Sequence, residues 1–190
     1  MGPSSVELLF QIIMNVAILL VFFRFLMQLA AVTPYNPVVM STVKATRVVD
    51  VFSRILPTFG KGRVNMAALI LLFVLCLLKK FGMMYLGGTP PNSAVYLLLA
   101  TFIESIQALI RILRYLIFAT IILSWVVMFT QSRSPYIEVV QELTEPLLAP
   151  FRRIMPNMGM IDLSPILAIL TLIIVEKLMQ GVAATLLVGF

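Results

Sequence analysis

The sequence predicts an all-α integral membrane protein. Its four transmembrane helices form two parallel span–amphipathic helix–span repeats, related by a pseudo-two-fold axis along the membrane normal. Three observations predict this. First, 61% of the 190 residues are hydrophobic and only 12% are charged, with a mean hydropathy of +1.07. A soluble domain carries roughly 45–50% apolar and about 25% charged residues, so this chain is too poor in charge to cover itself against water. Second, four stretches reach the roughly 20 apolar residues that a bilayer crossing needs. Third, the segment VDVFSRILPTFG at 49–60 is echoed by PLLAPFRRIMPNMG at 146–159.

The first span is predicted over 7–32 and the second over 65–86. The chain starts MGPSSVELLF, with no basic stretch ahead of its apolar run. It therefore reads as the start of the first span and not as a cleaved signal peptide. LGGTPPNS, at 86–93, is uncharged and rich in Gly and Pro. It is a turn, and it divides the chain into units 1–88 and 89–190. The next apolar stretch, 94–130, would as one helix be about 55 Å long, well beyond a roughly 30 Å hydrocarbon core. Glu104, Arg111 and Arg114 interrupt its first half. The crossing is therefore placed at 109–130, through Ile121, Trp125 and Phe129, with 94–108 as an interfacial or extra-membrane start. A fifth short span over 94–108 is the alternative. The last span is predicted over 165–189.

The repeat is read by placing Pro57 on Pro156. Phe52 then falls on Phe151, Arg54 on Arg153, Ile55 on Ile154 and Gly60 on Gly159. Upstream, Asn36-Pro37 matches Ser134-Pro135 after a one-residue gap. Downstream, Asn65 matches Ser164, and these two are candidate N-caps of the next helix. The repeated text sits in equivalent places, in the connections 33–63 and 131–162. A unit with two spans begins and ends on the same side, so the copies are parallel.

Both connections predict amphipathic helices. In the second, Tyr136, Val140, Leu143, Leu147, Phe151 and Ile154 recur at helical spacing, while Glu138, Gln141, Glu142, Glu145, Arg152 and Arg153 fall mostly opposite. Pro146 and Pro150 predict a break near Thr144, with Thr144 capping a second helix that starts at Glu145-Pro146. In the first connection, Val48, Phe52 and Ile55 oppose Lys44, Arg47, Asp50 and Arg54. Such helices lie in the membrane interface with the apolar face down, or else cap the bundle with snorkelling arginines. Phe52, Arg54, Phe151, Arg152 and Arg153 are thus candidate contacts for anionic lipid headgroups or for a partner's carboxylates.

The connections hold eight basic residues: Lys44, Arg47, Arg54, Lys61, Arg63, Arg133, Arg152 and Arg153. Lys79, Lys80, Arg111 and Arg114 lie toward the other side. The bias places the connections in the cytoplasm and both termini in the periplasm of a bacterial-type inner membrane. The net charge of +6 is accounted for by topology and anionic lipid, with no nucleic acid implied.

Chemistry is sparse. There is no histidine and a single cysteine, Cys76, inside LILLFVLCLL. His-based triads, imidazole metal sites, paired thiols and an intramolecular disulfide are therefore excluded. No cofactor, metal or catalytic set is implied, and an enzyme is not expected. Ionisable residues inside spans are functional candidates by default. Glu176 lies about 16 Å along its helix from Pro165, near mid-bilayer, with Gln180 one turn on. Lys79 and Lys80 fall at a matching depth in the second span. A Glu176–Lys80 pair across the two units is predicted. A polar path for ions or protons, and exposure at an oligomer interface, are the other readings. Arg24 is expected to snorkel and Glu104 to pair with Arg111. Nothing in the spacing brings Ser124 and Lys177 together as a catalytic dyad.

Several segments carry a resemblance: YNP at 35–37, SWV at 124–126, SRSP at 132–135, EPLLAPFRRIMPNMG at 145–159 and IDLSP at 161–165. Over nearly its whole length the chain resembles the YggT/YlmG family of small multipass membrane proteins. In the first unit, VVDVFSRILPTFGKGRVNMAAL lacks the prolines and second arginine that members often keep. The resemblance implies kinship to plastid proteins that help assemble a haem-bearing cytochrome complex, and to others associated with cell division and with nucleoid or chloroplast division. A part in osmotic tolerance or potassium uptake has also been proposed for the family. It transfers no catalytic residues.

The expected function is that of a non-enzymatic inner-membrane assembly or scaffold protein in cell-envelope, division or membrane-complex assembly. It would act through cytoplasm-side amphipathic helices and lateral helix contacts, with a membrane-protein partner or as a homo-oligomer. Small residues such as Ala100 and Ala108 permit close helix approach. The alternative is an oligomeric small-cation channel or transporter in osmotic or potassium homeostasis, with Glu176 and Gln180 forming an acidic ring.

Overall fold

The computed structural model describes residues 4–60, 62–89, 93–131, 134–154 and 162–187. The order is α1 (Ser5–Leu29), α2 (Pro37–Ala45), α3 (Arg47–Ser53), β1 (Thr58–Phe59), β2 (Val64–Asn65), α4 (Met66–Leu86), α5 (Ala94–Thr130), α6 (Pro135–Ile154) and α7 (Ser164–Leu187). The fold is all-α, and α1, α4, α5 and α7 are long and apolar enough to cross a membrane. The ends of these helices are chemically fixed. Ser4 Oγ accepts the Glu7 N–H at 3.2 Å, Asn36 Oδ1 the Val38 N–H at 2.9 Å, and Asn65 Oδ1 the Ala68 N–H at 3.2 Å. Each satisfies a donor that the first helical turn leaves without a partner. Pro37 opens α2, where its missing N–H costs nothing. The antiparallel pair β1–β2 was not legible in the sequence. Gly60 and Gly62 turn it with φ of 62° and 82°, a conformation that glycine adopts without a Cβ penalty.

Helix α1 packs along α4, α5 along α7, and α4 against α5. The principal core lies toward the connections. It joins Phe22, Phe25 and Leu26 of α1, Val49 of α3, Ala68 and Leu72 of α4, Leu116 of α5, and Val139 and Leu143 of α6. Leu8, Leu9, Ile12, Ile13 and Val16 are exposed along the first half of α1, as hydrocarbon-facing residues of a span would be. At Gly82 of α4 an added Cβ would run into the Phe10 ring, so the glycine lets α1 approach.

Three sequence expectations change. First, α5 is one unbroken helix, which removes the fifth short span. Its stretch 94–108 lies alongside α4, with the Phe73 and Phe102 rings 6.5 Å apart, edge to face. Second, α6 has no break at Thr144 and runs through Pro146 and Pro150. Both prolines sit on its exposed side, whereas Leu143, Thr144 and Leu148 are buried and hold the axis. Thr144 caps nothing. Its hydroxyl donates back to the Val140 carbonyl at 2.9 Å and meets the Thr120 hydroxyl of α5 at 2.9 Å. Third, the buried strip of α6 is turned toward Thr144 and Leu148, leaving Tyr136 and Ile154 exposed at its two ends. In α3 the buried residue is Val49, at 0% exposure, while Val48, Val51 and Phe52, and Ile55 just past its end, are exposed.

The Thr120–Thr144 contact predicts a measurable cost. Thr144→Val keeps the shape and removes the hydroxyl, leaving Thr120 its bond to the Leu116 carbonyl at 3.0 Å. A loss of about 0.5–1.5 kcal/mol is expected, read by reversible unfolding in bicelles.

Candidate functional site

Two groups of polar residues stand out against this apolar frame. The first lies where the connections meet the spans. Thr33, between α1 and α2, donates its N–H to Glu142 Oε2 at 2.8 Å and its hydroxyl to Oε1 at 3.0 Å. Asn36 donates to the Pro135 carbonyl at 3.0 Å. The two connections therefore grip each other through α2 and α6. Arg24 does not snorkel freely. It donates to Asp50 of α3 and to the Val43 carbonyl at 3.2 Å. Gln28 and Asn65 share a hydrogen bond at 3.0 Å, and Asn65 also donates to Ser53 at 3.0 Å. These bonds tie α3 and the β-pair onto the ends of α1 and α4.

In the second connection, Arg152 bridges two carboxylates. Its Nε donates to Asp162 Oδ2 at 2.9 Å and its Nη1 to Glu145. Asp162 in turn accepts the Ser164 N–H at 2.9 Å, so it is Asp162, and not Ser164, that caps α7. Partial burial raises the Asp162 pKa, but the Ser164 hydroxyl and N–H and the Arg152 guanidinium outweigh it and hold the carboxyl below its ordinary value. A depressed folded-state pKa contributes stability that is present above the unfolded value, near 4, and lost as pH falls through the folded one. Hydrogen exchange at the start of α7 should therefore be flat from about pH 5 to 8 and accelerate below about 4, relative to the intrinsic rate. Asp162→Asn should abolish that acid dependence.

The predicted contact residues are placed unequally. Phe52 is 44% exposed, and Arg54 is exposed at the C-cap of α3. Phe151 is half-buried against Ile117, Leu148 and Ala168. Arg152 is engaged within the chain, and Arg153 is exposed with no ion-pair partner among the described residues.

The second group is a ladder of charges along the spans. Glu176 is buried at 6% exposure. It accepts from Arg114 at 2.7 Å and lies 3.6 Å from Arg111. The predicted Glu176–Lys80 pair does not form, nor does Glu104–Arg111. Lys80 pairs instead with Glu104, and Lys79 donates to Asn15 Oδ1 at 2.7 Å. The reason is rotational. α5 lies between α4 and α7, presenting Glu104 to one and Arg114 to the other, so Glu176 finds its cation on α5 before it can reach α4. Gln180 accepts from Lys177 at 3.2 Å on the same helix. Ser124 donates to the Thr120 carbonyl at 2.7 Å and does not meet Lys177. Among the described residues no group of acidic, His or Cys side chains is arranged to hold a metal.

Comparison with known proteins gives a family match. Residues 99–183, covering α6 and nearly all of α5 and α7, match the CCB3/YggT family model. The chain is also similar to an uncharacterized protein of Haemophilus influenzae, 33% identical over 180 residues and covering 94% of this chain and 93% of the other. The chain belongs to the CCB3/YggT family. Further relatives are an uncharacterized protein of Vibrio alginolyticus, 35% identical over 85% of each chain, and the uncharacterized protein YggT of Escherichia coli (strain K12), 29% identical over 96% of this chain and 92% of that one. No solved structure matches. The CCB3/YggT match contains Arg111, Arg114, Glu176, the Thr120–Thr144 pair, and the Arg152–Asp162 bridge. Reading the sequence missed Asn15, Asp162 and the pairing of Arg114 as parts of these groups. The one available signal was that arginine on an otherwise apolar helix must meet a carboxylate.

Proposed function

We propose that this CCB3/YggT protein is a non-enzymatic inner-membrane assembly or scaffold protein in cell-envelope, division or membrane-complex assembly. It acts through the connection face. The observation that carries this reading is the outward row Val48, Val51 and Phe52 on α3 with Ile55 just beyond its end, exposed by 49%, 61%, 44% and 79%, with Arg47 at the start of that short helix and Arg54 at its C-cap. Four apolar side chains beside two cations are costly in water, and they suit a lipid interface or a partner helix at headgroup level. On this reading the connections are cytoplasmic and the termini periplasmic, and Arg54 and Arg153 are the basic contacts left free by the internal bonding of Arg152.

The two-unit architecture belongs to the same proposal. Val49 and Leu148, 99 positions apart, are exposed by 0% and 1%, and Asn65 and Ser164, at the same offset, by 3% and 1%. Each unit reads helix, connection, helix, with α1 on α4 and α5 on α7, which supports a pseudo-two-fold pair. The cation-channel reading is weaker, because Glu176 already holds Arg114 at 2.7 Å and so offers no free acidic ring.

The test is purification from native membranes in a mild detergent, with intact mass of the assembly. A stoichiometric partner lost in Phe52→Glu/Ile55→Glu supports the scaffold reading. Retention of the partner in that variant sinks the role given to α3. A bare assembly with cation flux in liposomes overturns the scaffold reading itself.

A further inference from the structure

A cavity of about 890 Å³ opens between α1, α4 and α5. It runs from Thr89 and Tyr96, beside the α4–α5 turn, inward to Arg111. Three cations line it, Lys79, Lys80 and Arg111, and Glu104 is the one carboxylate on its wall. Lys80 is balanced by Glu104. Among the described residues Lys79 meets only the neutral Asn15 amide. Arg111 stands 3.6 Å from Glu176, which Arg114 already occupies at 2.7 Å. Across the ladder, among the described residues, four cations share two carboxylates, which leaves two positive charges in excess. In water such an excess is trivial. Along membrane-crossing helices an uncompensated cation is costly, and an anion removes that cost.

We propose that this cavity binds the phosphate of an anionic phospholipid headgroup. Lys79 and Lys80 lie about 10 Å from the end of α4 at Leu86, within reach of the headgroup layer by snorkelling. Lys79, which has no carboxylate partner among the described residues, and Arg111, which shares Glu176 with Arg114, supply the excess charge. Asn15, and Gln107, whose side chain has no hydrogen-bond partner among the described residues, offer neutral hydrogen bonds to ester or glycerol oxygens. The volume far exceeds a bare phosphate. The wall also carries Ile18, Leu19 and Met83, apolar surface that suits the first acyl carbons and not a hydrated ion. This site is separate from the α3 row, and it stands whether or not that row binds a partner.

The experiment is native mass spectrometry of the delipidated full chain titrated with phosphatidylglycerol, with phosphatidylcholine as the zwitterionic control and inorganic phosphate as competitor. Wild-type protein should hold phosphatidylglycerol at least tenfold more tightly than phosphatidylcholine. Lys79→Gln/Arg111→Gln should erase that preference, whereas Lys177→Gln, an equal charge change per site outside the cavity, should keep it. Glu104→Gln, which removes the wall's carboxylate, should tighten binding severalfold and keeps the proposal testable if the double variant fails to fold. Equal retention of the two lipids, an unchanged preference in the double variant, or weaker binding in Glu104→Gln overturns the proposal. Displacement of the lipid by millimolar inorganic phosphate would identify a free anion as the ligand and overturn the lipid assignment.

Discussion

Replacing Arg114 with leucine is expected to lower the unfolding free energy by about 3–5 kcal/mol, the usual cost of stripping the partner from a buried charge. Glu176 is only 6% exposed, and its short contact is to Arg114. Arg111, at 3.6 Å with its side chain 43% exposed, is a poor substitute. The carboxylate would be left in a low dielectric without its close partner, which costs free energy. Glu176→Leu/Arg114→Leu removes both charges together and should recover a large part of the loss, because apolar side chains pack where the ion pair was. Detergent-titrated unfolding in bicelles, run as a double-mutant cycle, reads the coupling directly. A coupling below about 0.5 kcal/mol would mean that the pair is decoration on a helix contact held by packing.

The same pair marks how far the sequence could be read. Four apolar stretches and capping by Asn65 were legible because each depends on local composition or on a side chain bonding its own helix start. Which charges meet was not legible, because it depends on the rotation of each helix about its axis. Glu176 and Lys80 match in depth, yet Arg114 intercepts the carboxylate from the intervening α5. Pro146 and Pro150 misled for a related reason. Local chemistry argues for a break, but the burial of Leu143, Thr144 and Leu148 along α5 and α7 holds α6 as one rod. In α3, alternation of apolar and charged residues could not say which apolar row faces inward. Val49, buried, and Val48, exposed, are adjacent and chemically identical.

Leu148→Ala is the second substitution with a large expected effect, and it tests the placement of α6 directly. Leu148 is 1% exposed and packs with Ile117 of α5 and Ala168 of α7. With Phe151 beside it, it joins the connection to both spans of its unit. Truncation removes the transfer free energy of the lost methyls and leaves a cavity that three helices cannot all collapse to fill, so a cost of about 2–5 kcal/mol is expected. Ile154→Ala and Tyr136→Ala, on the strip that helical spacing alone selects, are 75% and 70% exposed and should each cost under about 0.5 kcal/mol in detergent. The ranking is the discriminating result. If α6 broke at Thr144 and lay flat on the membrane, Ile154 would outrank Leu148, and amide exchange across 145–154 would rise independently of 135–143. With α6 continuous, Leu148→Ala raises exchange across its whole length as one cooperative unit, and the Thr33–Glu142 grip on the first connection loosens with it.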